Sequence, residues 1–462
     1  MATDYTLLRP ARTLAEMGDT LLKQPLETQE EFDAFYSDQY STARGVDRIS
    51  HLGVELGRSF RKAPFHGFVM GHPGVGKSTE ISRLLLGKGQ QFRPIRISAK
   101  EELRPGDFRI YDLLWLMILR VLTETKSPVI SGFSDKLSSG LLEDVRKEMS
   151  QRLVKILGIS DKELEGGLDF KLFAKIRATL KISRQRTEEV IEYTYSALSE
   201  LLDVVNRVFI ECNGVLQSEK GQEWILVVED FEKLGVEAEP LRRMFFDYRS
   251  LFEQLKCHLL FVIPVGLAYT EDAEKMPFGP QRQFMIPDIA VSTNMDHLPD
   301  EQGLGALMDV IDRRVEAVLL DKALARSMAI ASGGNLRDLF DLLGRAGIAA
   351  EARQATRIER RDALEAVQWL RSTYRFRLGE SDYGAPDAIP IQTKMDKLAG
   401  VYRGIPSAQI PDKTLYVLLR NRMVLQYNGN VWFGVHPLVV DLLKEAGSIG
   451  PDEAGGTDLR GK

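Results

Sequence analysis

Two hydrophobic periods alternate along this chain, and their order predicts its architecture. An apolar run over 65–70 reads as a strand and leads into a glycine-rich turn. A second strand is expected over 92–98. The stretch 112–125, DLLWLMILRVLTET, carries apolar residues on too many sides for a surface helix, so it predicts a largely buried one. Charged text with few aromatics fills 133–190, including Gly166-Gly167 and a basic tract over 175–186, and predicts a helical insertion at the edge of the core. An amphipathic helix over 187–212 then feeds the most hydrophobic strand, 224–228. A helix over 239–255 precedes a strand over 259–265, and 284–291 supplies a further one. Strands alternating with helices at these spacings predict parallel βαβ units around a buried sheet.

The period changes near Gly303, and the text stays helical to about 378. A loop with Gly379, Gly384, Pro386 and Pro390 follows. The segment 393–445 reads as two helices and a hairpin, with strands over 423–427 and 431–435 around an Asn428-Gly429 turn. The tail from Gly447 is expected to be disordered.

Composition narrows this picture mainly by exclusion. A length of 462 residues implies two or three cores at ~150 residues each. With 44% hydrophobic and 27% charged residues, wholesale disorder is excluded. The net charge of -5 gives no global field for nucleic acid, so any such contact has to be a local patch. The two cysteines, Cys212 and Cys257, form neither a disulfide framework nor a zinc cluster, which fits a reducing cytoplasm. The apolar stretches 114–122 and 259–268 are too short to span a bilayer, which takes ~20 residues, and no signal-peptide core is seen. His72 and His436 lack partners at metal-ligand spacing and are expected to be structural.

Chemistry enters at GHPGVGKS, 71–78, which satisfies G-x-x-x-x-G-K-[ST] between a strand and a helix. Glycines at 74 and 76 let the backbone approach phosphate oxygens, and the helix start at Lys77 presents free N–H groups to them. Gly71, Gly74, Val75, Gly76, Lys77, Ser78 and Thr79 are therefore the expected nucleotide contacts. Lys77 is expected at the β- and γ-phosphates, Ser78 on Mg²⁺, and Thr79 near the α-phosphate. Hydrolysis also needs carboxylates, and WILVVEDFEKL over 224–234 delivers Glu229 and Asp230 to the C-terminal edge of a buried strand. Glu229 is assigned to the Mg²⁺ shell and Asp230 to orienting water.

The acidic stretch resembles the hhhhDE-x-D-K-L segment of AAA+ ATPases near the origin-recognition (ORC/Cdc6) group and of STAND signalling NTPases. Glu229-Asp230 stand where those families carry Asp-Glu or Asp-Asp, a change of about one methylene that implies slow turnover. ASGGNLRDLFDLL, 331–343, resembles their sensor-2 element and implies that Arg337 reports the γ-phosphate from a lid. By the same resemblance Pro264 occupies the place of a polar sensor-1 residue. Arg242, Arg243, Arg313 and Arg314 are candidate arginine fingers. GHPGVGKSTEISRLL and VLQYNGNVWFGVHPLV resemble segments of bacterial ATPases that carry a winged-helix-like module after the lid, and the likeness extends over about 60–445.

These readings imply an α/β fold: a P-loop NTPase parallel sheet, AAA+-like, with a helical lid and a C-terminal winged-helix-like domain. The expected boundaries are an N-terminal helical extension (1–60), a core (61–300, insertion about 133–190), a lid (301–378), a winged-helix-like unit (379–446) and a tail (447–462). The resemblance implies an ATP- and Mg²⁺-dependent switch acting as a homo-oligomer or with a separate protein effector, in a regulatory setting such as antiphage defence. One alternative is a DNA-binding ATPase of the replication-initiation or transposition kind, with Lys413, Arg420 and Arg422 offered to a duplex. The other is a nucleotide-gated scaffold with negligible hydrolysis. The faint positive excess of 401–445 ranks protein contact ahead of DNA.

Overall fold

Five parallel strands lie in the order β2-β3-β4-β1-β5. They are β1 (His66–Gly71), β2 (Phe92–Ser98), β3 (Glu223–Glu229), β4 (His258–Pro264) and β5 (Gln283–Met285). The computed structural model describes residues 5–45, 47–103, 108–125, 136–148, 195–234, 241–270, 273–379, 388–427 and 432–459. The basic tract 175–186, most of the expected insertion and the Asn428-Gly429 turn lie outside the described residues. Every residue of β3 is buried, as expected of a strand covered on both faces. The register pairs Gly71 with Pro264 and Ser98 with Glu229, so β1 to β4 end along one edge. β5 is a correction: a strand over 284–291 was expected, but pairing stops at Met285, and Pro287 with no N–H to donate follows.

Four short helices, α1 (Met17–Thr20), α2 (Gln29–Phe35), α3 (Asp38–Ala43) and α4 (Arg48–Ser59), precede the sheet. Within it come α5 (Lys77–Gly87), α6 (Ala99–Glu102), α7 (Ile110–Glu124), α8 (Ser139–Glu148), α9 (Tyr195–Lys220) and α10 (Arg249–Glu253). α7 buries Leu113, Trp115, Ile118 and Leu122 against one sheet face, together with Leu201 and Val205 of α9. At roughly 1.5–3 kcal/mol per buried large side chain, this layer contributes strongly to the stability of the sheet. The opposite face is covered by Leu52 and Leu56 of α4 and Ile81 and Leu85 of α5. Over its described residues the expected helix over 239–255 is present from 241 to 253, with a wide-turn stretch at 243–247 that passes through Tyr248 into α10.

Beyond the sheet lie α11 (Glu301–Asp312), α12 (Lys322–Ala331), α13 (Leu336–Ala352) and α14 (Arg360–Leu378). α15 (Ile391–Tyr402), α16 (Lys413–Arg420), the antiparallel pair β6 (Val424–Tyr427) and β7 (Trp432–Val435), and α17 (Pro437–Glu445) complete the chain. The units expected as extension, lid and C-terminal module share one core, in which Met17, Leu339, Leu343, Leu418 and Leu443 are all buried. The tail is a second correction. Ile449 and Leu459 are buried in that core, and Thr457 Oγ1 donates to Asp441 at 2.7 Å. Apolar anchors hold a stretch whose Gly-rich composition suggested disorder.

Candidate nucleotide site

The glycine-rich turn leaves β1 and enters α5 through Gly74 (φ 93°) and Gly76 (φ 88°), both in the left-handed region open mainly to glycine. Gly76 caps α5, whose first amides have no partner within the helix. Gly74, Gly76, Lys77, Ser78 and Thr79 line one cleft. Lys77 is buried; its Nζ donates to the carbonyls of Gly71 and His72 at 3.0 Å and lies 3.3 Å from Glu232 Oε1. Thr79 Oγ1 accepts from the Leu26 amide at 3.3 Å, and Val75 is packed inside the sheet layer with its carbonyl bound by Arg44.

The strand end brings the acids to this loop. Ser78 Oγ donates to Glu229 Oε2 at 2.6 Å, and the other Glu229 oxygen pairs with Arg96 of β2. Asp230 adopts φ 69°, an uncommon conformation for a residue with a side chain, which turns the chain at the strand end. Its carboxylate accepts from Ser98 Oγ at 2.9 Å, and the residue lines the cleft with Glu232. A hydroxyl and a carboxylate in contact are hard oxygen donors suited to Mg²⁺, so Ser78 and Glu229 are the residues that would hold it. Arg96 and Glu232 escaped the sequence reading. Arg96 left a trace, a cation inside the strand between Ile95 and Ile97; Glu232 was the third acid of WILVVEDFEKL.

At its other end the cleft is lined by Leu22, Pro25, Leu26, Tyr36 and Tyr40 of the N-terminal stretch, and by Phe340. Arg44 pairs with Glu80 of α5 at 2.7 Å, and Tyr36 donates to the same carboxylate at 2.9 Å, fastening the stretch to the loop helix. No phosphate-binding pattern marked these residues. Arg314, offered as a finger, is corrected: it is buried, donates to the Phe35 carbonyl at 2.9 Å and stacks on Phe35 and Phe340. Arg313 pairs with Asp309 on its own helix turn.

Gly333 and Gly334 break the helices as expected, and Arg337 enters the cleft wall from the first turn of α13. Burial and the neighbouring Arg422 lower its pKa. The junction itself rests on Asn335, which caps α13 through Oδ1 and donates from Nδ2 to the Pro73 carbonyl and to Asp288, each at 3.0 Å. A Cβ on Gly74 would lie 2.5 Å from Asn335 Oδ1, so loop and junction are in direct contact. Arg422, offered to a duplex in the DNA-binding alternative, is corrected: its left-handed backbone (φ 59°) turns it inward. There it donates to Asn335 Oδ1 at 3.0 Å and pairs with Asp338 at 2.9 Å. Burial opposes ionisation of Asp338, but Arg422, His436 and Tyr374 hold its pKa well below the usual range. His72 and His436 are buried against this cluster, as expected of structural histidines.

Asp288 in the same cluster is pushed up to about 7 by burial, against the opposing pull of Asn335, Arg422 and Arg44 and with Asp338 adding to the rise. A carboxyl raised on folding stabilises most at low pH, and that contribution is lost as pH climbs from the unfolded value near 4 through about 7. Asp288→Asn is therefore expected to match wild type in thermal midpoint near pH 4 and to exceed it increasingly toward pH 8. A gap that does not change with pH in melts across this range rules this account out.

No known family profile matches the sequence, and no curated protein matches it. Among solved structures, the chain is similar to the ORC2 protein of Aeropyrum pernix at 11% identity and TM-score 0.42, over 93% of this chain and 98% of that one. It is similar to a Walker-type ATPase of Pyrococcus abyssi at 12% identity and TM-score 0.44, over 92% and 99%. It is also similar to Cdc6p of Pyrobaculum aerophilum at 13% identity and TM-score 0.34, over 86% and 93%. Among the described residues no helix is long and apolar enough to cross a membrane.

Proposed function

We propose that this chain is a Mg²⁺-dependent ATP-binding and ATP-hydrolysing switch of the AAA+/STAND kind. The observation that carries the reading is the meeting, at one sheet edge, of the phosphate loop with the β3 acids through the Ser78–Glu229 hydrogen bond. Lys77 and the first amides of α5 bind the phosphates, and the N-terminal stretch covers the base end. When bound, Mg²⁺ supplies charge neutralisation at the phosphates. Asp230, held by Ser98 and lining the cleft, is the carboxylate that orients water. Glu229 is already committed to Ser78 and Arg96. Choice of adenine rests on the family resemblance, as does a homo-oligomer or separate effector in a regulatory setting such as antiphage defence.

Steady-state phosphate release and ATP titration test the reading. Wild type is expected to turn ATP over, and Asp230→Asn to lose about 10²–10³-fold in turnover with ATP affinity within a few fold, the size of a general-base contribution. If Glu232→Gln shows that loss and Asp230→Asn does not, the base is misassigned. If wild type binds ATP without turnover, the chain is a nucleotide-gated scaffold.

A further inference from the structure

Arg44, at the end of α3, reaches the phosphate loop from the N-terminal stretch and is buried there. One of its Nη atoms donates to Glu80 at 2.7 Å and the other to the Val75 carbonyl, while the guanidinium lies 4.5 Å from the centre of the Tyr40 ring. Both hydrogen bonds therefore end on the loop and its helix. Val75 is followed by Gly76 at φ 88°, and a peptide unit beside a glycine turns over readily unless something holds it. In a trans peptide the carbonyl and the next N–H point to opposite sides. With the Val75 oxygen on Arg44, the Gly76 N–H is directed away from the guanidinium. A Cβ on Gly76 would lie 3.3 Å from Arg44 Nη2, so the loop closes directly onto this side chain.

Glu80 sits buried in the first turn of α5, where a bare carboxylate would oppose phosphates at the same helix end. Arg44 neutralises it, and the Tyr36 hydroxyl donates to it at 2.9 Å, so the carboxylate is held on the N-terminal side. A buried ion pair adds little net stability over well-packed apolar side chains, so stability alone does not account for a guanidinium here. We propose that Arg44 is a positioning residue for phosphate binding: with Glu80 as its counter-ion, it fixes the Val75–Gly76 peptide so that the Gly76 amide faces the nucleotide phosphates. The proposal rests on the ATP reading for the identity of those phosphates. It also makes the seating of the N-terminal stretch part of the site. Arg314 holds the Phe35 carbonyl at 2.9 Å, and Arg44 follows only nine residues later, so displacing this stretch would release the loop peptide. The Gly76 contact is made in ground and transition states alike, so its loss is read in affinity rather than in turnover at saturation.

The test uses the full chain as wild type, as the double variant Arg44→Met with Glu80→Met, and as Arg44→Lys. The double variant removes both charges at once. A role limited to neutralising Glu80 therefore predicts wild-type nucleotide affinity, whereas a positioning role predicts a loss. Each protein is titrated with ADP and with a non-hydrolysable ATP analogue, and phosphate release is followed across ATP concentrations. The thermal midpoint of the nucleotide-free protein is the control for folding. The double variant is expected to bind both nucleotides about tenfold or more weakly, the size of one charge-assisted hydrogen bond. Its KM is expected to rise by a similar factor, with kcat within about threefold of wild type. Arg44→Lys, which keeps the charge but lacks the planar fork, is expected to fall between the two. Wild-type affinity for both nucleotides in the double variant overturns the proposal, and so does a loss in kcat with KM unchanged. If the double variant does not fold, Arg44→Lys decides: a rise in KM of about threefold or more sustains the proposal and a wild-type KM overturns it. Should wild type bind neither nucleotide, the ATP reading fails, and titration with pyrophosphate decides the role of Arg44. Weaker pyrophosphate binding by the variants than by wild type sustains it; equal binding, or none by wild type, overturns it.

Discussion

Lys77→Ala is expected to abolish measurable ATP turnover and to weaken ATP binding by about ten- to a hundredfold, the loss of one charge-assisted contact worth about 1.5–3 kcal/mol. The geometry makes the effect larger than removal of a surface charge. Lys77 is buried, and its ammonium is already placed by the Gly71 and His72 carbonyls, so little ordering remains to be done when phosphate arrives. Its removal leaves Glu232 3.3 Å from an absent cation, so a carboxylate then faces the incoming phosphates. Calorimetric titration and phosphate-release assays separate the two losses. Lys77→Ala with wild-type turnover would exclude the loop from the chemistry. Combining it with Glu232→Gln, which removes the exposed negative charge, is expected to restore part of the binding and none of the turnover.

The sequence carried the parts of this site that are local in the chain. The loop 71–78 has to bring its own glycines, lysine and hydroxyl in fixed order, so its composition displays its task. The strand 224–228 showed its burial in an unbroken apolar run, and the acids showed where it ends. What stayed hidden is contact between distant segments. Asn335 reads as an ordinary helix cap, and only packing shows that its amide also holds Pro73 and Asp288. Arg422 looked like surface charge because nothing nearby in sequence neutralises it; its partner Asp338 lies 84 positions earlier, in α13. The tail failed for the same reason, since Leu459 is buried by helices that a glycine-rich composition cannot reveal.

That junction also sets the largest expected stability effect. Gly334 has φ 85°, and a Cβ there would stand 1.8 Å from the Ile289 carbonyl oxygen, a distance no rotamer can relieve. Gly334→Ala must therefore move the junction away from the strand-side backbone, besides adding the ~1–2 kcal/mol cost of a left-handed conformation. We expect a loss of about 3–5 kcal/mol, in the range reserved for steric conflict at a special backbone position. The cost is not a general one of replacing glycine in this region. Gly344, in the middle of α13, meets nothing within 4 Å, and alanine there is expected to stabilise by about 0.5–1 kcal/mol through helix propensity. Denaturant melts of the two variants should move in opposite directions from wild type. The Gly334 variant should also bind ATP more weakly, because displacing the junction carries Asn335 off the Pro73 carbonyl and withdraws Arg337 from the cleft. Equal melts for Gly334→Ala and wild type would mean that the junction is not seated on Ile289 in solution.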